Sequence, residues 1–182
     1  MESYSIPDFA EEARRIVTKH DKAEPILEQL SPLLLRLATS RTWFEPKMLR
    51  STLKNGAGVY PLFDAPGPGL SIRAVSWQPG AVAGPHSHGT WEVVAYAAGS
   101  VEHTFWVRRD NGMVPDHAVI EATEVRECAT GDVVVFLPET IHSAKNLGSE
   151  PSLELQVNSV ALKHVRRFAF DPEHDIVRQL RA

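Results

Sequence analysis

Gly80-Ala-Val-Ala-Gly-Pro-His86-Ser-His88-Gly-Thr-Trp-Glu92-Val-Val-Ala-Tyr-Ala-Ala-Gly99 is the stretch around which the rest of the chain reads as organised. It has a strand-turn-strand pattern. In a strand, side chains two residues apart share a face, so His86 and His88 can reach one ion together while Ser87 points away. Glu92, on the next strand, offers an oxygen as a fourth ligand. Fe(II), Mn(II), Ni(II) and Zn(II) all accept such nitrogen and oxygen donors. An H-x-H pair alone is equally a pair of surface histidines at the mouth of a hairpin.

The wider spacing separates these readings. Gly80, His86, His88, Glu92 and Gly99 fall at the intervals of the first motif of the cupin superfamily. Downstream, Gly131-Asp-Val-Val-Val-Phe-Leu-Pro138-Glu-Thr-Ile-His142-Ser-Ala-Lys-Asn146 resembles the second cupin motif, with one residue fewer between Pro138 and His142. That shorter form is similar to the cysteine dioxygenase family in the broad sense, which includes bacterial 3-mercaptopropionate dioxygenases. Tyr60, the run Ser76-Trp-Gln-Pro-Gly80, the run Gly89-Thr-Trp91 and the run Val165-Arg-Arg167 extend the resemblance over residues 58–170. It implies an all-β fold, a cupin double-stranded β-helix or jelly-roll barrel, with His86, His88, His142 and Glu92 as the metal set.

Around that centre the chain is ordinary in size and charge. With 182 residues and a net charge of −4, it suits a single domain and shows no basic run for nucleic acid or anionic lipid. Cys128 is the lone cysteine, so no internal disulfide is expected. The acidic N-terminus lacks the marks of a signal peptide, and no segment approaches 18 apolar residues, the length of a membrane span. A cytoplasmic protein, monomer or homodimer, is expected.

Residues 1–55 read as a helical extension packed on a barrel formed by residues 56–182. Ser5, Pro7 and Asp8 mark a helix start. Ile26, Leu27, Leu30, Leu33, Leu34 and Leu37 form a leucine stripe for the sheet or a dimer partner, with Pro32 as an expected kink or break. A short third helix is expected within residues 42–55. From Val59 the apolar period becomes two, as in strands, with a turn at Asp110-Asn111-Gly112 and a loop over residues 64–69. The tail from Asp171 reads as a short helix or frayed end.

The resemblance implies a non-heme Fe(II) centre that oxidises a small carboxylated thiol with O2 to a sulfinate, Mn, Ni or Zn being other metals the donors accept. It also implies that Arg167, Tyr60 and Trp91 contact the substrate. Where the family carries a Ser-x-His-x-Tyr run beside the metal, this chain has Glu154-Leu-Gln156-Val-Asn158, so Glu154, Gln156 and Asn158 are the candidates for the catalytic polar face. The arginine of the cysteine-specific members falls near Leu62, which points to 3-mercaptopropionate-like substrates over cysteine. His20, His103, His117, His164 and His174 sit outside any motif spacing and read as ordinary histidines. A cupin dioxygenase or lyase with a carbon substrate, and a non-catalytic metal-binding or small-molecule-binding cupin, are the alternatives.

Overall fold

The computed structural model describes residues 4–65 and 70–180. Two helices lead the chain, α1 (Ile6–Lys19) and α2 (Ala23–Ser40). Ser5 and Asp8 close a reciprocal capping box on α1, and Pro7 occupies the first turn, where a missing N–H costs nothing. Pro32 does not break α2, because Leu30, Leu34 and Leu37 anchor both halves on one buried face. The third helix expected within residues 42–55 is a single 3-10 turn, Pro46–Leu49. The carbonyls of Lys47 and Arg50 accept from the Tyr60 hydroxyl instead of extending the helix.

Eleven strands follow among the described residues: β1 (Ala57–Asp64), β2 (Ser71–Trp77), β3 (Val82–Ser87), β4 (Glu92–Ala98), β5 (Ser100–Arg108), β6 (Ile120–Ala129), β7 (Val133–Phe136), β8 (Ile141–Lys145), β9 (Ser152–Asn158), β10 (Arg167–Asp171) and β11 (Ile176–Leu180). They pair antiparallel into two sheets, β1-β2-β9-β4-β7 and β11-β10-β3-β8-β5-β6, the facing sheets of a jelly-roll barrel. The loop read over residues 64–69 falls mostly outside the described residues. The Asp110-Asn111-Gly112 turn opens a longer loop before β6, pinned by Asp110, which accepts from the N–H of Gly112 and of Val119. The tail from Asp171 is neither helix nor frayed: β10 and β11 form a hairpin, and Asp171 shapes its turn by accepting from the N–H of Glu173 and His174.

The leucine stripe of α2 packs on the outer face of the five-stranded sheet, in one apolar cluster with Val93, Ala95, Leu153 and Leu155. A second cluster, with Val75, Val94, Tyr96, Phe136 and Ala144, lies between the sheets. As a result β9 is buried on both faces. Its leucines and Val157 point toward the helices, and Glu154, Gln156 and Asn158 point into the barrel. Among the described residues no helix is long and apolar enough to cross a membrane.

Candidate metal centre and cavity

His86, near the end of β3, and His142, on β8, are direct cross-strand partners, and His88 follows one residue beyond β3. One ring nitrogen of each of the three lies within 4.8 Å of the others. His86 Nε2 and His88 Nε2 are 3.0 Å apart. His86 Nδ1 donates to the Gly84 carbonyl at 2.8 Å, which leaves Nε2 as the lone-pair nitrogen. Phe136 stacks flat on the His142 ring, centroids 3.9 Å apart, and fixes its orientation. Gly89 turns the chain from His88 toward β4 at a φ of +64°, and a Cβ there would lie 2.1 Å from the Arg166 carbonyl oxygen. Only glycine fits that turn. Burial and the neighbouring His88 push His86 down to about 4, and burial with His86 and His88 pushes His142 well below its ordinary value. Neutral imidazoles present the lone pairs a divalent ion takes, so this donor set fits such an ion.

Glu92 does not join that group. Its buried carboxylate contacts His88 Nδ1, the nitrogen turned away from His86, accepts from Asn158 Nδ2 at 2.7 Å, and lies 3.4 Å from Arg73 Nη2. Burial alone would raise its pKa, but His88, Arg73 and Asn158 outweigh burial and hold it at about 2. The expected fourth ligand is thus a carboxylate clamped by Arg73 and Asn158 behind His88, where it can orient the ring.

The three imidazoles open onto a cavity of about 690 Å³ between the sheets, lined also by Arg73, Arg167, His103, Glu154 and Gln156. Arg73 donates from Nε to Gln156 Oε1 at 2.7 Å and from Nη2 to Asn158 Oδ1 at 2.8 Å. Burial and the nearby Arg73 guanidinium lower the pKa of Arg167, a sign of two cations sharing one space. Burial pushes Glu154 up to about 7, with Glu92 adding to it and Trp77, Gln156 and Tyr96 holding it back. Gln156 Nε2 donates to Glu154 Oε1 at 2.6 Å. Asn158 stands behind this surface as the common clamp of Arg73 and Glu92.

Tyr60 and Trp91 are not among the residues lining the cavity. The Tyr60 hydroxyl is taken by two backbone carbonyls at 2.7 and 2.8 Å, and Trp91 packs in the helix-side core, so both act as structural residues. Arg73 and His103, in contrast, line the cavity without any motif to announce them. The available signal was alternation. Arg73 interrupts the apolar run Ile72-Arg-Ala-Val75, and His103 shares a face with Val101 and Phe105.

Two antiparallel sheets closed around a cluster of three imidazoles define a small β-barrel with a metal-capable interior. The chain belongs to the cupin family, whose model matches residues 65–178. Among solved structures it is similar to recombinant oxalate oxidase in complex with glycolate, at 21% identity over 64% of this chain and 59% of that chain, with a TM-score of 0.48. It is also similar to Bacillus subtilis oxalate decarboxylase, studied for its Mn(II) centres, at 22% identity over 66% of this chain and 29% of that one, with a TM-score of 0.49. A third is an uncharacterized conserved protein with a double-stranded beta-helix domain from Klebsiella pneumoniae subsp. pneumoniae, at 16% identity over 69% and 88%, with a TM-score of 0.49. The chain spans less than two thirds of the oxalate oxidase chain it resembles. No curated protein sequence matches it.

Proposed function

We propose that this cupin is a non-heme Fe(II) thiol dioxygenase that oxidises a small carboxylated thiol, of the 3-mercaptopropionate type rather than cysteine, to its sulfinate with O2. The observation that carries this reading is the meeting, in one cavity, of three converging imidazoles with two guanidiniums, Arg73 and Arg167. His86, His88 and His142 would hold the metal, which supplies a Lewis acid that favours thiolate over thiol and a site for O2 chemistry. All three protein donors are then neutral, since Glu92 is spent on His88, Arg73 and Asn158.

Arg167 binds the substrate carboxylate, as a planar fork suited to bidentate contact. Arg73 adds a second positive charge, and its anchoring by Gln156 and Asn158 means that little side-chain freedom is lost when an anion arrives. Position 62, where the cysteine-specific arginine would fall, holds a leucine packed against the helix-side core. That argues against cysteine as the substrate.

A second reading, a dioxygenase or lyase with a carbon substrate, draws on Glu154, a buried carboxyl whose pKa near 7 suits proton abstraction. Oxygen uptake by the Fe(II)-loaded protein separates the readings. The thiol reading expects uptake and sulfinate formation with 3-mercaptopropionate, at about ten-fold or more the kcat/KM of an uncharged thiol of the same length, since a charge-assisted hydrogen bond is worth about 1.5–3 kcal/mol. Turnover of 2-hydroxy or 2-oxo acids with no thiol oxidised would favour the carbon reading. Binding without turnover of either class would make the protein a non-catalytic cupin.

A further inference from the structure

The metal group and the two guanidiniums leave three buried titratable side chains unaccounted for. Tyr96, His103 and Glu154 are 0, 3 and 1% exposed and come from β4, β5 and β9. Burying a phenol, an imidazole and a carboxyl costs free energy unless they satisfy one another. Here they meet. Tyr96 and Glu154 are direct cross-strand partners, and the Tyr96 hydroxyl hydrogen-bonds His103 Nε2. The Glu154 carboxyl also reaches the same hydroxyl. Glu154 Oε2 and His103 Nδ1, the outer atoms of this line, are buried without a hydrogen-bond partner among the described residues. Both end residues line the cavity, and the His103 ring lies 5.8 Å from the His142 ring, centroid to centroid.

One hydroxyl proton between two acceptors allows two arrangements. In the first, His103 Nε2–H donates to Tyr96, Tyr96 donates to the Glu154 carboxylate, and His103 Nδ1 carries a lone pair. In the second, Glu154 is protonated and donates to Tyr96, Tyr96 donates to His103 Nε2, and the His103 proton sits on Nδ1. We propose that Glu154, Tyr96 and His103 form a proton relay, which takes a proton from an acidic S–H, O–H or C–H group of the bound substrate at His103 Nδ1 and holds it on Glu154. One substrate X–H bond breaks, its electron pair stays with X, and one proton shifts along each hydrogen bond. His103 changes tautomer and stays neutral. No oxidation or reduction is involved.

The relay deepens the proposed function, since it assigns the proton-handling part of the same cavity. Gln156 links it to the anion-binding side by donating to Glu154 Oε1 while accepting from Arg73 Nε. The groups facing Glu154 are Tyr96 and Glu92 of β4, Trp77 and Arg73 of β2, Gln156 on its own strand and Cys128 of β6. With a pKa near 7, Glu154 can hold or release the proton at neutral pH, whereas burial keeps His103 neutral by lowering it to about 4.

The test follows the His103 ring nitrogens by 15N NMR in the full chain loaded with diamagnetic Zn(II), as pH is raised through about 7. The relay expects the protonated nitrogen of His103 to switch from Nδ1 to Nε2 as Glu154 ionises. Tyr96→Phe, an isosteric change, and Glu154→Gln should each abolish the switch. A single His103 tautomer throughout in the unaltered protein, or a switch that persists in Tyr96→Phe, overturns the relay. Because no turnover is read, the result stands apart from whether a thiol is the substrate.

Discussion

On the six-stranded sheet, His86, His88 and His142 come from two neighbouring strands and the turn after one of them; on the five-stranded sheet opposite, Arg73, Glu92, Glu154 and Gln156 come from β2, β4 and β9, far apart in sequence. The first wall needs little beyond local strand geometry and the Gly89 turn to converge. The second is held together by hydrogen bonds from Arg73 through Gln156 to Glu154, and by two helices that cover its back. Damage to the histidine wall should remove the metal. Damage to the polar wall should leave the metal in place and alter how a bound substrate is held and how its proton is handled.

Tyr96→Phe should show this most strongly. It leaves the three imidazoles untouched, so metal content should stay full while kcat for the substrate falls by about 10²-fold with KM little changed, the usual range for losing general acid–base help. Loss of metal in that variant would mean that the two walls are not separable. Glu92→Gln probes the seam between them. If Glu92 only orients His88, metal affinity measured by chelator competition should fall by about 10–100-fold. Complete loss of binding would make Glu92 a ligand.

How much of this was legible in the sequence divides along the same line. The histidine wall was readable because its residues sit at fixed spacings within two short motifs. The polar wall was readable only as a face. Alternation in Glu154-Leu-Gln-Val-Asn158 says that the three polar residues share a side, but an exposed strand has the same pattern. What buries them is the packing of α2 on the opposite face, a contact between residues more than a hundred positions apart. Arg73 and His103 belong to no motif, and only their place among inward-facing apolar residues set them apart. Glu92 was misread for a related reason. Its spacing from His88 was visible, but the clamp by Arg73 and Asn158 forms only once β2, β9 and β4 are neighbours.

Two smaller effects sharpen the comparison. Arg167→Ala should raise KM by about ten-fold for a carboxylated thiol and hardly at all for its uncharged analogue, given the strength of a charge-assisted hydrogen bond. Equal effects on both would make Arg167 structural. Glu154→Gln should change the pH dependence of stability. Burial raises the folded-state pKa of Glu154 from 4.5 to about 7, so the folded state binds more protons across that window, and the contribution of Glu154 to stability falls as pH rises through it. Relative to the unaltered protein, the variant should therefore gain stability between those two pH values and hold the gain above them, read as a shift in urea midpoint. No relative gain would mean that Glu154 is not buried as a titrating carboxyl.

The central claim is that His86, His88 and His142 hold one metal ion opposite a wall of guanidiniums and carboxyls. Its most direct test is metal content per chain in the purified protein and in His142→Ala, prepared in parallel and each checked for folding by circular dichroism. The account predicts about one divalent ion per chain in the unaltered protein and a folded, nearly metal-free variant. Full metal content in folded His142→Ala would contradict it.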